Sequence, residues 1–278
     1  MPVLQDYRSR PHWSYSSLNQ FLNVCSLQWA FERIYKVPKP FTPVALSFGS
    51  AFHRTLEWVH LLKKQGEQAG EQETRDLFRD LWGRQVEEDS NIRFEEDEDA
   101  DALAAKGADV VASFLRGIDP EERVVALNEA FAVPLVDAEG VSLEKPLIGE
   151  MDCIVEKGGR RTVVDWKTSG RRWAEGQAAR SLQPTVYLYA FEQIHGEPAP
   201  FRFDIVVKGK TPSFEQHATT RGPDAYERMI ELVRLAEDMV AHEHFVPNEQ
   251  SFYCSSCPFA GACASWHRRS PSPIRMAA

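Results

Sequence analysis

The chain has 278 residues and a mass of 31.6 kDa, so it can bury a full core without disulfide bonds. Its 43% hydrophobic and 26% charged residues are ordinary for a globular domain, and no apolar run reaches the roughly 20 residues that cross a bilayer. The N-terminal residues lack the apolar segment of a signal peptide. We therefore expect a cytoplasmic protein with no membrane partner, whose five cysteines stay reduced.

The net charge of −9 at first argues against a nucleic acid as partner, but the charges are unevenly distributed. Nine acidic residues and one basic residue lie between Glu87 and Asp101, whereas seven basic and two acidic residues lie between Lys157 and Arg180. A basic stretch beside an acidic body is compatible with nucleic acid bound at one place. An ordinary solvated loop would carry similar charges, so charge alone leaves both interpretations open.

Hydrophobic periodicity predicts helices in the first part of the chain. Apolar residues at helical spacing follow the candidate cap residues Ser14 and Ser16 and predict one helix to about Tyr35. A second helix is predicted over 49–64. The polar, acidic segment 66–101 is predicted to be an inserted, variable or mobile region with a short helix around 76–86. A further helix over 102–115 then leads to a strand-like run over 123–136.

The second half of the chain predicts most of a sheet. Strands over 145–156 and 160–168 are joined through Gly158 and Gly159, and a helix over 175–195 follows. Two more strands and a helix are predicted at 201–208, 213–218 and 224–242. This order of elements predicts one α/β domain over 1–278, in which helices flank a mixed sheet.

The Gly-Gly turn sets the register of the predicted hairpin. If Lys157 pairs with Arg160, Asp152 lies opposite Asp165 on one polar face. Two facing aspartates repel each other, and a divalent cation between them, Mg²⁺ or Mn²⁺, explains their presence. The opposite face is apolar and suits a core; it carries Met151, Cys153, Val155, Val164 and Trp166.

The same register places Glu150 opposite Lys167, on the face of the two aspartates. A lysine there can position a water or stabilise the charge of a phosphate under attack. A lone D-x-K tripeptide is common and usually belongs to an exposed strand, and a lone helix histidine is usually packed rather than ligating. The order and spacing of several elements therefore carry the interpretation.

Four segments have motifs in a definite order. Residues 49–53 read GSAFH, 149–152 read GEMD, 163–169 read VVDWKTS and 183–187 read QPTVY. They resemble the G-x-x-x-H, G-x-x-D, D-x-K-T and Q-x-x-x-Y motifs of RecB-family nucleases in the PD-(D/E)xK superfamily. Glu129 is a weaker match to a glutamate that often precedes the aspartate motif. Glu150 departs from the family, in which many members have a basic residue; it could pair with Lys167 or reduce the affinity for DNA.

The resemblance implies a restriction-endonuclease-like fold and a metal-dependent DNA nuclease, an exonuclease on single-stranded ends in repair, recombination or processing. The implied ligands of Mg²⁺ or Mn²⁺ are His53, Asp152, Asp165 and the carbonyl of Trp166. The implied catalytic residues are Asp152, Asp165, Lys167, Glu129, Gln183 and Tyr187. The expected DNA contacts are Arg171, Arg172 and Arg180.

Several alternatives stay open within and beyond this interpretation. The chain could trim DNA ends in CRISPR spacer acquisition beside an integrase, or act with a helicase. It could be a catalytically inactive DNA-binding scaffold subunit, although decay normally removes one of Asp152, Asp165 and Lys167. RNA could replace DNA as the substrate.

A cysteine-rich tail is predicted over 250–267. It contains a C-x₂-C-x₅-C group made of Cys254, Cys257 and Cys263. Three thiolates need a fourth ligand to hold zinc or a [4Fe–4S] cluster. Cys25 on the N-terminal helix is the main candidate and His267 the alternative, whereas Cys153 lies on the apolar face of the hairpin and is interpreted as a core residue.

The spacing of these cysteines resembles that of AddB-type and CRISPR-associated RecB-like nucleases. This resemblance implies a [4Fe–4S] cluster that joins the tail 250–267 to the segment 14–35, with zinc as the alternative.

Overall fold

The computed structural model describes residues 3–96 and 98–269, except for the side chains of Phe252, Arg268 and Arg269. The ends of the predicted domain, residues 1–2 and 270–278, lie outside the described residues. The described helices are α1 Leu4–Tyr7, α2 Tyr15–Asn19, α3 Ser26–Arg33, α4 Val44–Gln65, α5 Glu71–Glu88, α6 Ala100–Gly117, α7 Gln177–Arg180, α8 Gln183–His195, α9 Pro223–Ala241 and α10 Ala260–Arg269. The described strands are β1 Thr42–Pro43, β2 Ile92–Arg93, β3 Arg123–Val133, β4 Leu147–Lys157, β5 Arg160–Ser169, β6 Phe201–Val207 and β7 Ser213–Thr219.

The central sheet has five strands in the order β3-β4-β5-β6-β7. Strands β5 and β6 are parallel, and the other neighbours are antiparallel. Each face of the sheet buries a separate core. Side chains from α2, α3, α8 and α9 fill one core, and side chains from α4, α5 and α6 fill the other. The predicted α/β architecture, a mixed sheet flanked by helices, is therefore confirmed.

The single helix predicted from Ser14 to Tyr35 is wrong. The segment divides into α2, a π-helical turn over Gln20–Val24 and α3, and the backbone of Cys25 is extended (φ −173°, ψ 115°). The Sγ of Cys25 accepts a hydrogen bond from the backbone N–H of Gln28 at 3.3 Å and caps α3. Apolar residues continue on the core side across this break, so their spacing does not reveal it.

The segment 66–101 contributes to the core. Its helix α5 is longer than predicted and buries Thr74, Phe78, Leu81 and Trp82 against α4 and α6. A Cβ added at Gly107 of α6 would lie 1.9 Å from the ring of Phe78, so the two helices are in close contact. The acidic residues of this helix are on its solvated face, and its apolar residues pack into the core. That the segment is an inserted, variable or mobile region stays a prediction.

The predicted boundaries differ from the structure at two further places. Helix α4 begins at Val44 rather than at Gly49, and the helix predicted over 175–195 is interrupted at Ser181 and Leu182 between α7 and α8. Strands β1 and β2 form a two-stranded parallel pair that the sequence does not indicate. None of the helices in the described ranges has the length and apolar character needed to cross a membrane.

Candidate active site

The hairpin β4–β5 turns at Gly158 and Gly159, whose φ angles of 60° and 76° favour glycine. The backbone pairs run from Lys157↔Arg160 to Cys153↔Val164, so the predicted register is confirmed over this part of the hairpin. The ladder then ends. Beyond it β5 pairs with β6 and β4 pairs with β3, so the two strands separate where they carry the aspartates.

Asp152 and Asp165 lie on either side of this separation. The Oδ2 of Asp152 accepts a hydrogen bond from the backbone N–H of Trp166 at 3.0 Å. Burial raises the pKa of Asp152 well above its ordinary range, and the charge of Asp165 adds to this effect. Two desolvated carboxylates close to each other therefore favour the binding of a positive charge.

Asp165 is 3% exposed and contacts a donor through each oxygen. Its Oδ1 accepts a hydrogen bond from Nε2 of Gln183. Its Oδ2 lies 2.7 Å from Nζ of Lys167 but accepts no hydrogen bond of acceptable geometry. Burial alone would lower the pKa of Lys167, but Asp165 and Asp152 outweigh burial and raise it. Lys167 is thus held as an ammonium beside a buried carboxylate.

His53 reaches the same place from α4. Its Nδ1 lies 3.4 Å from Oδ2 of Asp152, and its ring centroid is 6.0 Å from that of Trp166. Buried neighbours on the same helix, among them Phe52, hold the helix on the sheet. Burial lowers the pKa of His53 against the opposing charge of Asp165, so the imidazole is neutral near pH 7 and keeps a lone pair.

These donors fit a hard divalent cation by their chemistry. Carboxylate oxygens with an imidazole nitrogen suit Mg²⁺ or Mn²⁺, and Oδ2 of Asp165 is a buried oxygen without a well-formed hydrogen bond. Within residues 3–96 and 98–269, no three His, Cys, Asp or Glu side chains converge in a preformed metal-binding group. The predicted ligand set, including the carbonyl of Trp166, stays a prediction.

Gln183 and Tyr187 occupy one face of α8 above the carboxylates. Gln183 is 3% exposed. Its side chain forms hydrogen bonds with Asp165 and with the phenol of Tyr187. Burial raises the pKa of Tyr187 well above its ordinary value, with Asp165 and Asp152 contributing in the same direction. The structure therefore brings both residues of the Q-x-x-x-Y segment to the site.

Tyr15 is a further neighbour of the site to which the sequence alone does not point. Its ring centroid is 6.5 Å from that of Tyr187, and its phenol interacts electrostatically with Lys167 and Asp165. Tyr15 is the first residue of α2, far from the motif segments in the chain. The only sequence signal beside it is Ser14, the cap of that helix.

Glu129 lies on β3, and its side chain contacts His195 at the end of α8. Its Oε2 is 3.0 Å from Nε2 of His195, the last residue of α8. Gln183, at the first turn of the same helix, contacts Asp165. The structure therefore places Glu129 and Gln183 at opposite ends of α8, and a catalytic role for Glu129 stays a prediction.

The predicted pairing of Glu150 with Lys167 is wrong. The ladder ends before these positions, and Lys167 instead contacts Asp165. Burial raises the pKa of Glu150, and Glu57 on α4 adds to this, while Arg8 opposes it. Glu150 thus adds negative charge beside the site without a lysine partner from the hairpin.

The three arginines predicted to contact DNA are exposed and follow β5 and precede α8. Arg172 pairs with Glu215 of β7 at 2.9 Å, and Arg180 donates to the backbone carbonyl of Glu175 at 3.3 Å. Arg171 lies beside Ser169, the last residue of β5. They border the carboxyl end of the strand that carries Asp165, and their contact with DNA stays a prediction.

Four cysteines from the two ends of the chain line one cavity of about 40 Å³: Cys25, Cys254, Cys257 and Cys263. Gln28 bridges two of them, because its backbone N–H donates to Sγ of Cys25 and its Nε2 donates to Sγ of Cys257 at 3.5 Å. Burial raises the pKa values of Cys254 and Cys263, and neighbouring cysteines contribute. The thiols are unpaired and close enough to influence each other.

The fifth cysteine and the alternative ligand His267 are not among the residues that line this cavity. Cys153 is fully buried in the sheet core, where burial raises its pKa strongly. Nε2 of His267 lies 3.2 Å from Oε1 of Glu249. The chemistry of four thiols around one cavity fits zinc or an iron–sulfur cluster. Like the carboxylate site, they form no preformed metal-binding group among the residues described.

Comparison with known proteins identifies the family. A protein from Eubacterium rectale, provisionally named an exonuclease, has a crystal structure that aligns with a TM-score of 0.50 and 16% identity over 87% of this chain and 84% of that chain. This likeness concerns the fold alone. The structure of SSO0001 aligns with a TM-score of 0.44 and 12% identity over 94% of this chain and 92% of that one, too low to carry an argument. No curated protein matches this chain by sequence. The family model of the PD-(D/E)XK nuclease superfamily matches residues 12–264, and the chain therefore belongs to that superfamily.

Proposed function

We propose that the protein is a RecB-type, Mg²⁺- or Mn²⁺-dependent deoxyribonuclease that acts as an exonuclease on single-stranded DNA ends. The observation that supports it best is the group formed by Asp152, Asp165, Lys167 and His53 on three separate elements of the fold. Superfamily members generally use divalent metals such as Mg²⁺. Phosphodiester hydrolysis suits such a site, because it needs positive charge near the phosphate and an oriented water.

His53, Asp152, Asp165 and the carbonyl of Trp166 would hold the cation, which supplies Lewis acidity toward the phosphate. The chain itself supplies orientation. The N–H of Trp166 fixes one carboxylate, and Gln183 fixes the other. Lys167, held beside Asp165 as an ammonium, donates hydrogen bonds to the attacking water or to a phosphate oxygen.

The single-stranded substrate rests on the family resemblance, and the exposed arginines after β5 are consistent with phosphate contacts. Arg171, Arg172 and Arg180 would hold the backbone of the strand that leads to the carboxylates. Repair, recombination or DNA processing in the cytoplasm is the proposed setting, with a helicase or an integrase as a possible partner. The five free thiols suit that reducing compartment.

The cysteine cavity supports a second part of the proposal. Cys25, Cys254, Cys257 and Cys263 would hold a [4Fe–4S] cluster, or zinc as the alternative, that joins α3 to the C-terminal tail. Such a cluster would hold the two ends of the chain together beside the nuclease core.

The nuclease proposal is tested with labelled DNA and the purified full chain. Wild type with Mn²⁺ should degrade single-stranded DNA faster than duplex DNA or RNA, and EDTA should abolish the reaction. Asp165→Ala and Lys167→Ala should each lower the rate at least about 100-fold. The exposed variant Arg84→Ala, whose pair with Asp80 is on the surface, should cut like wild type. If the Asp165 and Lys167 variants degrade DNA at the wild-type rate, the proposal is wrong.

The inactive-scaffold alternative predicts that calorimetric titration detects no Mn²⁺ binding. The proposed nuclease predicts one saturable binding event that Asp152→Asn abolishes. If the wild type binds DNA but neither Mn²⁺ nor Mg²⁺, the scaffold interpretation replaces the nuclease.

A further inference from the structure

Tyr15 is positioned by a backbone attachment to the strand that carries Asp152. The backbone N–H of Trp13 donates to the carbonyl of Pro146 at 2.9 Å, and the N–H of Ile148 donates to the carbonyl of Trp13 at 2.8 Å. The indole of Trp13 is 1% exposed. The chain just before Tyr15 is therefore fixed to the start of β4.

Helix α2 begins at Tyr15, so the direction of its side chain is also determined. The side chain of Ser14 caps the helix by accepting the backbone N–H of Ser17 at 3.2 Å. The Tyr15 ring then packs beside Tyr187, with centroids 6.5 Å apart. Its phenol is half-buried and lies near Lys167 and Asp165.

Ser181, which lies just before α8, is a further neighbour of the Tyr15 phenol. Ser181 Oγ accepts the backbone N–H of Gln183 at 3.3 Å. Burial raises the pKa of Tyr15 and Asp165 adds to this, whereas Lys167 and the contact with Ser181 oppose it. The phenol O–H of Tyr15 is a hydrogen-bond donor that an acceptor in the cleft can use.

We propose that the hydroxyl of Tyr15 donates a hydrogen bond to a phosphate oxygen of the DNA strand at the position of cleavage. This inference rests on the proposed nuclease function. An uncharged donor beside the ammonium of Lys167 adds a second directed hydrogen bond to the phosphate under attack. Tyr15 would then be a catalytic residue supplied by the N-terminal segment, outside the family motifs.

The variant Tyr15→Phe removes only the hydroxyl and keeps the ring that packs on Tyr187. We expect its kcat to fall roughly 10- to 100-fold, with KM, DNA binding in EDTA and the melting temperature close to wild type. The matched control is Tyr35→Phe, since the ring of Tyr35 also packs on aromatic residues, Phe31 and Phe245, but just after α3. That control should keep the wild-type kcat.

A second variant separates the hydroxyl from the ring. Tyr15→Leu should lose at least as much kcat as Tyr15→Phe. If Tyr15→Phe cuts like wild type, or raises only KM, or loses kcat together with a large fall in melting temperature, the hydroxyl has no role in the chemical step and this inference alone is overturned. If wild type fails to cut any DNA with Mn²⁺ or Mg²⁺, the proposed function falls and the inference falls with it.

Discussion

The Oδ2 of Asp152 accepts the backbone N–H of Trp166 at 3.0 Å where the ladder between β4 and β5 ends. A side chain thus replaces a backbone partner at the point of strand separation. The bond orients Asp152 toward His53, whose Nδ1 is 3.4 Å away. It also holds a buried carboxylate close to Asp165, which costs stability while no cation is bound.

Asp152→Asn should therefore stabilise the metal-free protein. Asparagine keeps an oxygen for the N–H of Trp166 and removes one of two repelling charges, so the free energy of unfolding in EDTA should rise by about 0.5–2 kcal/mol. Mn²⁺ at about 100 times its Kd should stabilise wild type by about 2.7 kcal/mol and the variant much less. Urea titrations with and without Mn²⁺ measure both effects, and the exposed Asp80→Asn serves as control. A variant less stable than wild type in EDTA would contradict the repulsion.

The hairpin is the part of the site that local sequence predicts well. A Gly-Gly turn and an alternation of polar and apolar residues determine its register. The sequence therefore predicts that Asp152 and Asp165 lie opposite each other. The contacts of Glu150 and Lys167 could not be predicted, because strand separation depends on competing pairing with β3 and β6. Ideal register holds only while the ladder continues.

Contacts between residues far apart in the chain could not be predicted for a different reason. Tyr15 reaches the site because Trp13 pairs with Leu147, a bridge between distant parts of the chain that no local period encodes. The break at Cys25 is hidden because a π-helical turn keeps the apolar residues on the core side. The acidic composition of α5 likewise hides the buried ring of Phe78.

Gln183→Leu should impair both the site and the fold. The variant leaves Oδ1 of buried Asp165 without its donor, and an unsatisfied buried acceptor costs about 1–3 kcal/mol. A misoriented carboxylate should also lower kcat/KM at least about tenfold. Steady-state kinetics and thermal unfolding test the two effects separately. The control Gln72→Leu removes a surface hydrogen bond to Asp76 and should change neither; a Gln183 variant with wild-type kinetics would refute the positioning role.

Glu150→Lys should strengthen DNA binding. Glu150 adds negative charge beside Asp152 and Glu57 where a phosphate would approach, and burial raises its pKa. A lysine there should lower the Kd for single-stranded DNA and steepen the slope of log Kd against log salt by about 1. Binding is measured in EDTA over a salt series. Glu73→Lys makes the same charge change on the exposed face of α5 and should alter the slope less. Equal slopes for both variants would show that Glu150 is away from the DNA path.

Arg202→Met should strongly destabilise the sheet. The guanidinium of Arg202 contacts Glu122 and Asp204, and all three side chains are largely buried. Burial raises the pKa of Asp204 while Arg202 opposes the rise, so removing the arginine leaves two buried carboxylates uncompensated. The expected loss is about 3–5 kcal/mol by urea unfolding. Arg84→Met, which breaks an exposed pair with Asp80, should cost less than about 0.5 kcal/mol. Comparable losses for both would mean that the cluster is not buried in solution.

The half-buried Cys25 and the buried Cys153 give a matched test of the cysteine cavity. Cys25 lines the cavity with the tail cysteines, whereas Cys153 lies in the sheet core. Wild type purified without oxygen should contain roughly four iron atoms per chain, or one zinc if that alternative holds. Cys25→Ala should lose the metal and lower the melting temperature, because the metal links α3 to the tail. Cys153→Ala should keep the metal even though its cavity costs stability. Full metal content in the Cys25 variant would exclude Cys25 as a ligand.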